Sequence, residues 1–164
     1  MKIIAASCLA FLAALSLPAA ADDKLTCETS AGSYLSGTVV KAPVFVHGQY
    51  RKGIELSHTH LSLRADQDGR TYDVAIDNVF ANGYDPQARG VPPVLAKIHV
   101  DDRLALCGQL YARGIGIHWV HGNCGARPTS SHPDGWIKPL SAAGSSGINL
   151  EGNTSYCPLF GRRH

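Results

Sequence analysis

Residues 55–79 read ELSHTHLSLRADQDGRTYDVAIDNV, and this stretch decides the fold. Leu61 and Leu63 alternate with His58, His60, Ser62 and Arg64, and Tyr72, Val74 and Ile76 alternate with Asp73, Ala75 and Asp77. A period of two marks a half-buried strand. Between the two runs, ADQDGR at 65–70 holds Asp68-Gly69, a hairpin signal. The expected strands are therefore 55–64 and 71–79. With the turn centred near Asp68, Ser62 falls opposite Asp73, His60 opposite Ala75 and His58 opposite Asp77. The apolar set then faces a core, while His58, His60, Ser62, Arg64, Asp73 and Asp77 share the outer face.

Working outward, YLSGTVVKAPVFV at 34–46 is β-branched and aromatic and predicts a long first strand, bent or bulged at Gly37 and Pro43. Residues 47–53 form a polar loop. Beyond the hairpin, 80–93 is a loop rich in Gly, Pro and Asn, and 94–99 is expected to hold one helical turn. Residues 100–111 (VDDRLALCGQLY) lead through a turn into a fourth strand, and 115–121 make a fifth. A short strand near 136–138 precedes an irregular tail, 139–164. Five strands with the longest loop between the third and fourth is the order of an OB-fold. The expected fold is all-β: a small OB-like five-stranded barrel with a disulfide-tied tail.

Of the 164 residues, 1–21 read as a signal peptide, with Lys2, an apolar run from Ile3 to Leu17 and small residues at Ala19 to Ala21. The expected domain is 22–164, exported to the periplasm or beyond, with no transmembrane anchor. Fifteen basic residues stand against 13 acidic, or 14 against 13 without Lys2, a balance that argues against broad nucleic-acid capture. Four cysteines remain after residue 21, which in an exported chain predicts two disulfides. Cys107 with Cys124, bridging neighbouring strands, and Cys27 with Cys157, joining the ends of the domain, is the pairing expected here. No pair forms a Cys-x-x-Cys zinc clip.

The runs GTVVKAP, SLRADQDGRTYDVAI, HVDDRLALCGQLY, GIHWVHGNCG and HPDGWIK resemble a family of small exported bacterial proteins, domain of unknown function 3465. The most specific part is the Ile-His-Trp-x-His strand followed by His-x-Asp-Gly-Trp, and the resemblance spans about 35–138. It implies an OB-like barrel and assigns no activity. The cysteines and the tail after Pro139 depart from the family pattern.

Two places gather candidate ligand-binding residues. On the hairpin face lie His58, His60, Arg64, Asp73 and Asp77, where the plain alternative is a solvated face of cross-strand His–carboxylate pairs. Histidines at i and i+2 on one strand can ligate one ion, so His58, His60 and Asp77 form a candidate divalent-metal set; no cofactor is otherwise required. Near the fifth strand lie His118, Trp119, His121, His132 and Trp136. On a strand, His118 and His121 point to opposite faces, so at most one joins any one site. Trp119 fills the barrel or stacks on a ligand. His132 to Trp136 reads as a Pro-Asp-Gly turn before the last strand. No Gly-x-Ser-x-Gly elbow or phosphate loop is present, and no catalytic residue is assigned. The leading expectation is a monomeric binding module for an envelope or extracellular ligand or protein. The alternatives are a metal-dependent phosphodiesterase or nuclease using the His/Asp cluster, and a protein inhibitor or interaction partner.

Overall fold

A computed structural model describes residues 19–160. The expected leader lies outside the described residues apart from Ala19–Ala21, which open a helix. Helix α1 (Ala19–Thr29) precedes β1 (Ser33–Arg51), β2 (Ile54–Ala65) and β3 (Thr71–Asp77), and a 3-10 turn follows at Asn78–Phe80. Strands β4 (Arg103–Leu110), β5 (Gly116–His118) and β6 (Trp136–Leu140) complete the sheet, and a second 3-10 turn lies at Cys157–Leu159. The sheet order is β1-β2-β3-β5-β4-β6, and a β1–β4 pairing closes a ring through five strands. β3 and β5 run parallel, and the other pairs are antiparallel. Among the described residues the fold is all-β apart from α1 and the two 3-10 turns.

The hairpin follows its sequence pattern residue by residue. Ser62 pairs with Asp73, His60 with Ala75 and His58 with Asp77. Leu61, Leu63, Val74 and Ile76 are buried, with Leu35, Val39, Leu104, Leu106, Ile117 and Ile137 beside them in one core. β1 is irregular at Pro43 as expected but not at Gly37, with register shifts between Val39 and Lys41, Lys41 and Val44, and Val46 and Gln49, and it runs to Arg51 through most of the stretch expected as a loop. Gly37 is where β1 is shared by two neighbours, since it pairs with both Ala65 and Leu104. A Cβ there would run into the Arg64 carbonyl, so the ring closes on a residue with no side chain.

Other expectations shift. β3 stops at Asp77 because Asn78 turns inward, taking a hydrogen bond from Thr59 Oγ1 at 2.6 Å and donating to Ser57 Oγ at 3.0 Å. The helical turn expected at 94–99 is a bonded turn, with Leu95 N and Ala96 N both donating to Pro92 O, and it buries Leu95 and Ile98. β5 ends at His118, three residues early, because Trp119 adopts a left-handed φ of 56°. β6 runs two residues into the expected irregular tail. The turn expected at Pro133-Asp134-Gly135 lies earlier, where Thr129 and His132 exchange backbone hydrogen bonds.

The disulfide pairing is a correction: the bonds are Cys27–Cys107 and Cys124–Cys157. Leu104 and Leu106 face the core, so alternation sends Ala105 and Cys107 to the opposite face of β4. There α1 covers them, and Cys107 meets Cys27 with Trp136 and Tyr34 alongside. Cys124 lies in the loop after β5, within reach of Cys157 instead. Each crosslink closes a loop, of 80 and 33 residues. In the loop-entropy model each contributes about 4 kcal/mol. The helix was not expected because its buried stripe is Asp23 and Cys27 rather than an apolar repeat. Asp23 holds it down by accepting from Lys138 Nζ at 2.7 Å and from Ser146 Oγ.

Candidate functional site

On the outer face of the hairpin, each carboxylate is shared between two donors. Asp77 sits opposite His58 and accepts from its Nε2 at 2.8 Å, while His121 Nε2 reaches the other oxygen at 3.1 Å. Asp73 lies diagonal to His60, whose Nδ1 is 3.0 Å from both oxygens, and it accepts from Tyr111 Oη at 2.6 Å. The His58 and His60 rings lie 6.3 Å apart, and Tyr111 meets His118 edge-on at 5.5 Å. Arg64 stays at the exposed end of the face. Among the described residues, no three His, Cys, Asp or Glu side chains converge as a metal-ligating set. His58 and His60 turn to different carboxylates, so the geometry does not assemble His58, His60 and Asp77 around one ion.

The electrostatics follow from these bonds. Burial works against the Asp77 carboxylate, but the hydrogen bonds from His121 and His58 outweigh it and hold the carboxyl well below its usual range. The same bond keeps His58 protonated to higher pH than an ordinary histidine, against the opposing pull of burial. Burial pushes His118 the other way, with Asp77 offsetting it in part. Tyr111 is driven well up by burial and by its bond to Asp73.

His121 ties this face to a second region. Its side chain is 3% exposed, and its Nδ1 donates to the Gly122 carbonyl at 2.8 Å. Both ring nitrogens therefore face acceptors. The strand expected to run through 121 is broken at the left-handed Trp119. Past that residue the chain no longer alternates, and Trp119 and His121 come together at 4.8 Å. Phe80 stacks on His121 at 3.8 Å and 13°, Phe160 on Phe80 at 5.2 Å, and the Arg51 guanidinium lies 5.7 Å over Phe160. His132 meets Trp119 edge-on at 4.6 Å.

These rings line a cleft of about 530 Å³, which the Cys124–Cys157 disulfide and Asn123 help to wall. Asp134 and Gly135 hold the cleft loop in place: Asp134 Oδ1 accepts from Asn123 N at 2.9 Å, and Gly135 N donates to His121 O at 2.9 Å. Two N–H donors of the lining residues, Trp119 Nε1 and Asn123 Nδ2, are buried without a hydrogen-bond partner. Trp136 does not join this group. It is 6% exposed and packs with Cys27, Cys107 and Tyr34 under α1, with Lys138 Nζ 4.4 Å from its ring.

Beside the cleft, Glu151 is buried with both carboxylate oxygens unpartnered. Burial, reinforced by the Asp77 charge, raises its carboxyl well above the ordinary range. The structure thus brings together Trp119, His121 and His132 in one place, and His58, His60, Asp73 and Asp77 in another. Phe80, Phe160, Arg51, Asn123, Tyr111 and Glu151 carried no usable pattern in the sequence. The nearest signal was Cys124 and Cys157, which flank cleft residues and point to them once paired. Compared with known proteins, the chain matches no family model and no curated protein.

Proposed function

We propose that the chain is an exported OB-like barrel that acts as a binding module for an envelope or extracellular ligand, held in the cleft beside β5. The closed circuit β1-β2-β3-β5-β4, with its parallel β3–β5 contact, supports the OB-like description. Two disulfides fit an oxidising compartment, and no helix among the described residues is long and apolar enough to cross a membrane. Membership of domain of unknown function 3465 is part of the same proposal and rests on GIHWVHGNCG and HPDGWIK.

The observation that carries the ligand reading is the cleft itself. Its volume of about 530 Å³ lies in the range of small-molecule sites, and aromatic rings with a few polar groups line it. Unpaired buried donors are costly unless something answers them, and here two belong to the lining residues. On the hairpin face, by contrast, Asp73 and Asp77 each already have two donors.

The test is a fragment screen read by the two indole N–H resonances, using sugars, nucleosides and arene acids as separate pools. Binding compounds are expected to shift the Trp119 signal and leave that of Trp136 in place, and Trp119→Ala is expected to abolish binding. Hits that move the His58 and His60 ring signals while leaving Trp119 untouched would place the ligand on the hairpin and overturn the cleft reading.

A further inference from the structure

The ring stack gives the cleft an electrostatic sign. Phe80 stacks on His121, Phe160 stacks on Phe80, and Trp119 lies tilted against His121. Rings whose faces are taken up by one another have their edges left to offer. The edge is the positive part of an aromatic quadrupole. The one side chain of the lining with a fixed charge is positive, the Arg51 guanidinium beside Phe160. Asn123 is 8% exposed, so its amide is a built part of the wall rather than a surface group. Among the described residues, no Asp or Glu lines the cleft.

We infer that the cleft takes an arene carboxylate, an inference that rests on the cleft being the ligand site. Both parts of such a molecule are negative where they meet this wall. Its π face opposes ring edges in the edge-to-face geometry that aromatic pairs prefer, and its carboxylate accepts from Arg51. A cationic ligand is repelled by Arg51, and a saturated acid gives the ring edges nothing to meet.

Calorimetric titration of the purified, oxidised protein with three probes tests this: 2-naphthoate, the isosteric neutral 2-naphthamide, and cyclohexanecarboxylate. The naphthoate is expected to bind at least about ten-fold more tightly than either control. Arg51→Glu is expected to weaken naphthoate about ten-fold or more and the amide far less, and Asn123→Asp to act in the same direction. Arg64→Glu, on the hairpin face, changes neither. Equal binding of naphthoate and naphthamide overturns the charge inference and leaves the cleft as a site. Equal binding of cyclohexanecarboxylate overturns the arene. Absence of naphthoate binding overturns the inference; the proposed function survives that result only if another fragment pool still shifts Trp119.

Discussion

On the outer face of β2 and β3, histidines and carboxylates satisfy one another; in the cleft, rings satisfy one another and leave N–H donors over. Both regions draw on His121, whose Nε2 belongs to the first network and whose ring contacts belong to the second. The His60–Asp73 end of the hairpin face is half-exposed, so its pair sits in high dielectric and contributes little. His121 and Phe80 are buried, so the same kinds of contact carry more weight there. A histidine cluster on a strand face is thus a weak pointer to a ligand, because cross-strand pairing absorbs it. Unanswered donors in a concave wall are a stronger one.

The largest expected effect breaks the link between the two regions. His121→Ala removes a buried ring from the stack and leaves the Asp77 carboxylate half-paired, and it is expected to cost about 3–4 kcal/mol in urea unfolding. A loss below about 1 kcal/mol would show that the two regions are energetically separate. Asp77→Asn comes next, at about 2 kcal/mol, since an amide oxygen replaces a charged acceptor for two histidines.

The pH dependence of that second loss follows from the direction of each shift. The depressed Asp77 contributes stability that is present above its ordinary value of 3.8 and is lost as pH falls through the depressed one. The raised His58 contributes stability that is complete below 6.5 and is lost as pH rises through its higher folded value. The difference between wild type and Asp77→Asn is therefore greatest from about pH 4 to 6.5 and shrinks in base. His58 should also titrate at lower pH in the variant, as followed by its ring proton shifts.

Glu151 sharpens the comparison from the cleft side. Its folded carboxyl holds its proton above the ordinary value of 4.5, so rising pH favours the unfolded chain, which releases that proton more readily. Glu151→Gln removes this slope. Melting temperatures at pH 4, 6 and 8 should show little difference in acid and a gain for the variant in base, on the order of 1 kcal/mol. The smallest effect belongs to the hairpin face: His60→Ala is expected to cost less than about 1 kcal/mol, because its partner Asp73 keeps Tyr111 and water. A cost near that of His121→Ala would erase the contrast between the regions.

What was legible in the sequence was local and periodic. Alternation from Leu61 to Ile76 about Asp68-Gly69 determines which side chains face the core, and a period of two leaves one register for the hairpin. That pattern alone puts His58 opposite Asp77 and brings His60 within reach of Asp73. The all-β class follows from the same signal repeated along the chain. Tertiary structure decided the rest. One left-handed residue, Trp119, swings His121 to Asp77 and the indole to the cleft, and no strand pattern announces such a break. Cys27 finds Cys107 because α1 lies over β4, and Cys124 finds Cys157 because the tail returns beneath the loop after β5. Phe80, Phe160 and Arg51 come from three distant segments, and their stacking depends on ring closure and on that returning tail. Side-chain direction along a strand is determined by neighbours one and two residues away; the walls of a cleft are determined by segments that meet only after the ring has closed.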